Sequence, residues 1–203
     1  MNSMEPFLAL RDYDETTPSM ELTLYDSVNF KGTYLIRVGT LLYHGIEIGD
    51  NFVTGNNAII RANTIIGDNV LVGTNVVIEG ECTIGNNVKL QTGVYITLYT
   101  TIENNVFMGP RSVTTNDKYM IYENGDKLIG PTIKRGARIG AGAIILPGII
   151  IGENAIIGSG SVVTKNVPDN TMAYGNPAQL IKSFKFSIYR YFKNLKLVLK
   201  TNK

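Results

Sequence analysis

Residues 48–83 read IGDNFV TGNNAI IRANTI IGDNVL VGTNVV IEGECT, six hexads that open on an aliphatic residue every time but one, where threonine stands instead. The count continues through Ile84, Leu90, Ile96, Ile102, Met108 and Thr114, breaks, and resumes as Ile133, Ile139, Ile145, Ile151, Ile157 and Val163. Neither the 3.6-residue period of a helix nor the 2-residue period of a strand produces this pattern, so the repeat outranks any local reading.

The other hexad positions explain the period. Four residues past the aliphatic stands a second small or β-branched residue, as at Ala58, Val70, Val76, Cys82, Val88, Val94, Ala137, Ala143 and Ala155, suited to an inward position. Three residues past it stands Asn or Gly in 14 of 18 hexads, the residue types that accept a left-handed backbone, so each hexad ends in a sharp corner. A short strand and a corner every six residues stack as a solenoid of three-strand coils, about 18 residues per coil.

Upstream, Leu24, Phe30, Ile36 and Leu42 keep the phase, which places the start of the prism near residue 24 after an irregular lead-in over residues 1–23. The phase fails between Asp117 and Ile133, and residues 118–132 are predicted to leave the prism as a bulged loop. From Asn176-Pro177 the apolar residues Ile181, Phe184, Ile188, Tyr191, Phe192, Leu195 and Val198 recur at helical spacing, with Lys182, Lys185, Arg190, Lys193, Lys196, Lys200 and Lys203 between them. Residues 24–175 are therefore read as one all-β solenoid and 176–203 as a basic amphipathic α-helix, which either caps the prism or rests on an anionic membrane surface.

Composition narrows the function classes. A net charge of +2 on 203 residues gives no reason to expect a nucleic-acid partner, and one cysteine cannot form an internal disulfide. With no basic-then-apolar leader and no 18-residue apolar run, the expected location is cytoplasmic, peripheral to the inner face of the membrane if the basic helix rests there. Cys82 falls on an inward position, which suits a buried inert thiol, and His44, the only histidine, falls on a surface corner.

The tripeptides Ile48-Gly49-Asp50, Ile66-Gly67-Asp68, Ile84-Gly85-Asn86 and Ile151-Gly152-Glu153 resemble those of the left-handed β-helix hexapeptide acyltransferases. So do Ile145-Leu146-Pro147-Gly148, the run from Gly158 to Pro168 and Gly175-Asn176-Pro177-Ala178, so that the resemblance spans roughly residues 24 to 180. It implies a left-handed parallel β-helix, a homotrimer with sites between subunits, and acetyl-CoA as co-substrate. The stretches Asn105–Pro110 and Thr115-Asn116-Asp117-Lys118-Tyr119 narrow it further, resembling the nucleotide-linked amino-sugar N-acetyltransferases of surface polysaccharide and lipopolysaccharide synthesis. The γ-class carbonic anhydrases share the prism but need three histidines for their metal; with one histidine here, no metal site is expected.

Where many relatives carry histidine, this chain has Asn56 and Gln91, and a glutamate common after the arginine equivalent to Arg61 is replaced by Ala62. A sugar hydroxyl needs a base to take its proton, whereas an amine needs far less help, so the missing histidine favours N-acetylation over O-acetylation. Asp117 is the candidate to hold the amino group, with Asn116 or Gln91 donating to the developing oxyanion. Arg61, Glu79, Tyr99 and Tyr119, on the face from which the loop departs, are the candidate sugar-nucleotide contacts. The resemblance assigns Lys134, Arg135, Arg138 and Lys165 to the CoA phosphates and the backbone amides of Ala141, Gly142 and Ser159 to the pantetheine arm. A non-catalytic scaffold is the rival reading.

Overall fold

The computed structural model describes residues 28–120 and 127–181, together with the short strands Phe7–Leu8 and Tyr13–Asp14. It is a parallel β-solenoid whose strands stack into three sheets of eight, ten and seven strands, here sheets A, B and C. The chain visits C, then B, then A in each coil. Leu71 pairs with Val53 below and Lys89 above, and the same 18-residue step recurs around the prism.

The inward positions fill the interior as the period requires. Ile48, Ile60, Val72, Ile78, Leu90 and Ile96 are fully buried, and the second inward position is taken by small residues such as Ala58, Ala137 and Ala155. Cys82 is among them. Its Sγ donates to the carbonyls of Gly80 and Thr97 at 3.0 and 3.3 Å, and burial pushes its thiol up to about 11. The group titrates higher folded than unfolded, so its contribution to stability is complete below about 8.5 and fades as pH rises toward the folded value. Labelling of Cys82 by a disulfide reagent at pH 8 should accordingly run about 100-fold slower in the native protein than in urea.

The corners show how strongly the coil dictates the backbone. Asn51, Asn57, Asn63, Asn69, Asn75, Asn87, Asn105 and Asn154 all have φ between 53° and 61°, with Gly93, Gly136, Gly142, Gly148 and Gly160 beside them in the left-handed region. Glu81, Tyr99 and Arg111 adopt the same conformation at φ 48°, 63° and 56°, although a side chain there costs roughly 1–2 kcal/mol. Asp117 and Asn166 occupy the same hexad position but have no positive φ. At both places the chain leaves the repeat.

After the strand Val113–Thr114 the next strand is Thr132–Ile133, and Thr101 pairs with Thr132, 31 residues on. Thr132 therefore belongs to the prism and not to the predicted loop. Residues 121–126 lie outside the described part, but the return of the segment is fixed by Ile129 N donating to Asn116 O and Gly148 N donating to Ile129 O. Gly130 lies so close to the backbone of Tyr99 that a Cβ would sit 2.3 Å from its carbonyl carbon.

Both ends differ from the expectation. In the lead-in read as irregular, Phe7–Leu8 pairs antiparallel with Leu41–Leu42 and Tyr13–Asp14 pairs antiparallel with Tyr34–Ile36, covering strand edges that would otherwise expose unpaired amides. The predicted prism start near Leu24 is described only from Val28–Phe30. At the other end the helix does not begin at Asn176-Pro177. Met172–Gly175 and Ala178–Ile181 instead form an antiparallel hairpin on Ile156–Ile157, because the last coil also presents a free edge, and pairing it overrides the helical spacing of the side chains. The rest of the predicted helix, residues 182–203, lies outside the described residues. Among the described residues no helix is long and apolar enough to cross a membrane.

Candidate active site

Three edges run along the prism where the sheets meet, and they differ in chemistry. On the edge between sheets C and B the corner amides are capped from within the chain. Asp50 N donates to Asp68 Oδ1, Asp68 N to Asn86 Oδ1 and Asn86 N to Asn104 Oδ1, each at 2.7–2.8 Å. Higher up, Arg135 N donates to Glu103 Oε2 and Glu153 N to Asp169 Oδ1.

The edge between B and A lacks those acceptors. Its middle corner positions are Asn56, Thr74, Thr92, Pro110, Ala141 and Ser159. The N–H groups of Ala141 and Ser159 have no hydrogen-bond partner among the described residues, and both residues are exposed. Glycine precedes each of them. A Cβ on Gly140 would sit 2.4 Å from Ser159 N, and one on Gly109 would sit 2.6 Å from Ala141 N, so these two positions require glycine, whereas Gln91 holds the same position one coil below Gly109. Gly142 differs from the expectation: its N–H donates to Pro110 O at 2.9 Å and is not available to a ligand.

On the edge between A and C lie Tyr99, Asn116, Asp117 and Tyr119. Asp117 Oδ1 accepts from Tyr119 N at 3.0 Å and Met120 N at 2.7 Å, a turn that starts the loop. Its Oδ2 has no partner among the described residues. Lys118 Nζ lies 5.4 Å from the centre of the Tyr119 ring. On sheet A beside this edge Arg61 pairs with Glu79 at 2.9 Å, and the Glu79 side chain is only 13% exposed. Tyr95 completes the group: burial and a hydrogen bond to Glu79 push its phenol above the usual range.

The predicted residues thus fall into separate sets. Asn116, Asp117, Tyr99 and Tyr119 share the A/C edge, with Glu79 two coils and Arg61 three coils below Thr115, whereas Gln91 is on the B/A edge with Ala141 and Ser159. Within one chain the full width of sheet A separates Gln91 from Asp117. Three of the four cations stay together, Arg135 and Arg138 lining one cleft with Lys134 beside Arg135 in the chain, and Lys165 stands apart. Lys134 and Arg135 are on the C/B edge, Arg138 is on sheet B, and Lys165 is on the A/C edge. Arg135 is already engaged with Glu153 at 2.8 Å, which holds its guanidinium above its usual value, and Arg138 Nη1 donates to Asn105 O at 2.5 Å. Arg138 and Asn105 line two adjoining clefts of about 380 and 240 Å³, with Lys89 and Phe107 in the second.

Two residues escaped the sequence reading. Tyr95 stands at an outward strand position, in a column that reads Leu41, Ile59, Val77, Tyr95, Val113, Ile144 and Val162. Arg111 is a corner that is neither Asn nor Gly, a signal already present in the hexads. Among the described residues no group of three or more His, Cys, Asp or Glu side chains could hold a metal ion.

Comparison with known proteins follows the same geometry. Residues 45–80, 63–98 and 130–165 match the family "Bacterial transferase hexapeptide (six repeats)". Over 48 residues the chain is 44% identical to the dTDP-3-amino-3,6-dideoxy-alpha-D-galactopyranose 3-N-acetyltransferase of Aneurinibacillus thermoaerophilus, covering 24% of this chain and 25% of that protein. Over 68 residues it is 35% identical to the galactoside O-acetyltransferase of Lactococcus lactis subsp. lactis, covering 32% and 33%. The chain therefore spans a quarter to a third of the length of these relatives. A variant of AntD, an N-acyltransferase from Bacillus cereus solved with dTDP and coenzyme A, superposes with a TM-score of 0.52 at 21% identity, over 89% of this chain and 96% of that one. The repeat matches, together with the 18-residue register of the coils, show that this chain carries hexapeptide repeats like those of that family.

Proposed function

We propose that the protein is an acetyltransferase that moves an acetyl group from acetyl-CoA to the amino group of a nucleotide-linked amino sugar. The observation that carries this reading is the pair of uncapped amides, Ala141 N–H and Ser159 N–H, on a glycine-flanked edge whose C/B counterpart is capped by carboxylates and amides. An extended, amide-bearing arm such as pantetheine fits such an edge, since exposed N–H groups seek acceptors and glycine permits close approach. Arg138, in the same coil as Ala141 and beside the 380 Å³ cleft, is placed for the phosphates at the other end of the cofactor, with Lys134 nearby; Arg135 serves the edge itself. Lys165 lies too far round the prism to share that role within one chain.

The acceptor half belongs to the A/C edge. Asp117 Oδ2 would receive the sugar amine, Asn116 would donate to the carbonyl oxygen, and Tyr99 and Tyr119, 50% and 64% exposed, offer rings for a sugar or a base to lie on. Arg61, held by Glu79, faces the same side as a cation for phosphate. The relative that acetylates a dTDP-amino sugar is consistent with this chemistry, and the one histidine, His44, lies on the A/C edge four coils below Asn116, away from Asp117.

The two halves flank sheet A, whose outer column is apolar from Leu41 to Val162. Packing that column against another copy would bring the A/C edge of one chain to the B/A edge of the next, so Gln91 would meet Asp117 between subunits; a homotrimer on the left-handed winding of the family is part of the proposal. Calorimetry with acetyl-CoA, followed by a panel of nucleotide-linked amino and hydroxy sugars assayed for CoA thiol release, tests the reading. Micromolar acetyl-CoA binding and turnover with an amino sugar support it. Absence of binding returns the protein to a scaffold, and turnover with a hydroxy sugar alone makes it an O-acetyltransferase.

A further inference from the structure

Arg111 is one of three left-handed coil corners, with Glu81 and Tyr99, that are neither asparagine nor glycine, and the reading above does not use it. It takes a left-handed φ of 56° at a corner where the B/A edge otherwise carries asparagine or glycine: Asn57, Asn75, Gly93, Gly142 and Gly160. The two other corner residues of the coils that take this conformation without being asparagine or glycine, Glu81 and Tyr99, have local reasons. Glu81 accepts a hydrogen bond from Asn63 Nδ2 at 2.6 Å, and the Tyr99 backbone is the seat of Gly130. The Arg111 guanidinium has no hydrogen-bond or acidic partner among the described residues, and the residue is exposed. Above it the edge is open, since a Cβ added at Gly142 or Gly160 would meet nothing within 4 Å. Below, its own Cγ lies 3.2 Å from where a Cβ of Gly93 would be, so the side chain leans toward the coil of Gln91.

A strained corner, an unpaired cation and an adjoining open trough coincide one coil below Ala141 and one above Gln91. We propose that Arg111 donates to the thioester carbonyl oxygen of acetyl-CoA and stabilises the negative charge that develops there during transfer. The inference rests on the assignment of the B/A edge to the acyl donor. In the step itself the acceptor nitrogen bonds to the carbonyl carbon and the C=O electron pair moves to oxygen, where the guanidinium holds it. That pair then re-forms the carbonyl as the C–S bond breaks, and the thiolate leaves with the proton released by the nitrogen. A cation that meets such an oxygen as its charge develops acts chiefly on the transition state, leaving ground-state binding nearly unchanged.

Strain and function then pull in opposite directions, and that makes the test sharp. Arg111→Gly and Arg111→Asn suit the left-handed corner, so both variants should melt at or above the temperature of the unaltered protein. They should bind acetyl-CoA within about twofold by calorimetry, and kcat with the acceptor selected by the sugar panel should fall tenfold or more, with little change in KM for acetyl-CoA. A kcat within twofold of the unaltered protein in either folded variant overturns the proposal. So does a loss of acetyl-CoA affinity that accounts for the lost rate, which would make Arg111 a phosphate contact. Failure of the unaltered protein to bind acetyl-CoA would instead remove the assignment of the edge itself, a different result.

Discussion

Asp117→Asn is expected to lower kcat by about 100-fold while leaving the loop in place, and Asp117→Ala to lower it further. The two substitutions separate the turn that Asp117 forms from the hold on the amine proposed for it. Asp117 Oδ1 takes the N–H groups of Tyr119 and Met120 and so forms the turn, a task that an asparagine oxygen performs equally well. What asparagine lacks is the negative charge at the second oxygen, where the sugar ammonium would be held and its proton lost before attack. Alanine removes both, freeing the segment that returns through Ile129 and Gly130 to Tyr99 and Gly148. Steady-state kinetics with the selected amino sugar checks the charge, and near-ultraviolet circular dichroism of the loop tyrosines checks the turn. Asp117→Asn running at the rate of the unaltered protein would leave Asp117 as a turn residue only.

The same residue shows where sequence reasoning stops. The hexad count placed Asp117 at a corner, and corners tolerate aspartate, yet its backbone is not left-handed because the chain departs there. Periodicity reports what each residue does when the coil continues; it is silent about how an exit is held. Within the coil it is nearly complete, since the identity of the corner residues at Asn51 through Asn154 and the inward Ala58, Cys82 and Ala137 follow from steric demands repeated in every turn. The ends obey another rule. Free strand edges recruit whatever chain is adjacent, so residues 178–181 pair as a strand despite a helical pattern, and Phe7–Leu8 and Tyr13–Asp14 pair despite showing none. The distribution of candidate residues among three edges also needed the sheet order. Lys134 and Lys165 look equivalent as cations near the C-terminal coils but sit on different edges.

That division leads to the largest expected loss of binding. Ala141→Pro combined with Ser159→Pro should reduce acetyl-CoA affinity by roughly three orders of magnitude, with about 30-fold from either change alone, as expected for removing the donor to a desolvated amide. Proline ordinarily damages β-structure by deleting a ladder hydrogen bond, but here the deleted N–H groups make none within the chain. Pro110 already occupies the equivalent corner one coil below Ala141, after Gly109 as Ala141 follows Gly140 and Ser159 follows Gly158. The corner conformation therefore accepts a glycine–proline step. Beneath Pro110 lies Gln91, a residue with a Cβ, whereas beneath Ala141 and Ser159 lie Gly109 and Gly140, so the added rings meet no more crowding than Pro110 does. Thermal melting should stay within a few degrees while calorimetry loses the acetyl-CoA signal. If both prolines are accepted by the fold and acetyl-CoA still binds with unaltered affinity, the arm does not lie along the B/A edge. The cofactor would then have to be sought on sheet B, in the clefts around Arg138, Lys89 and Phe107.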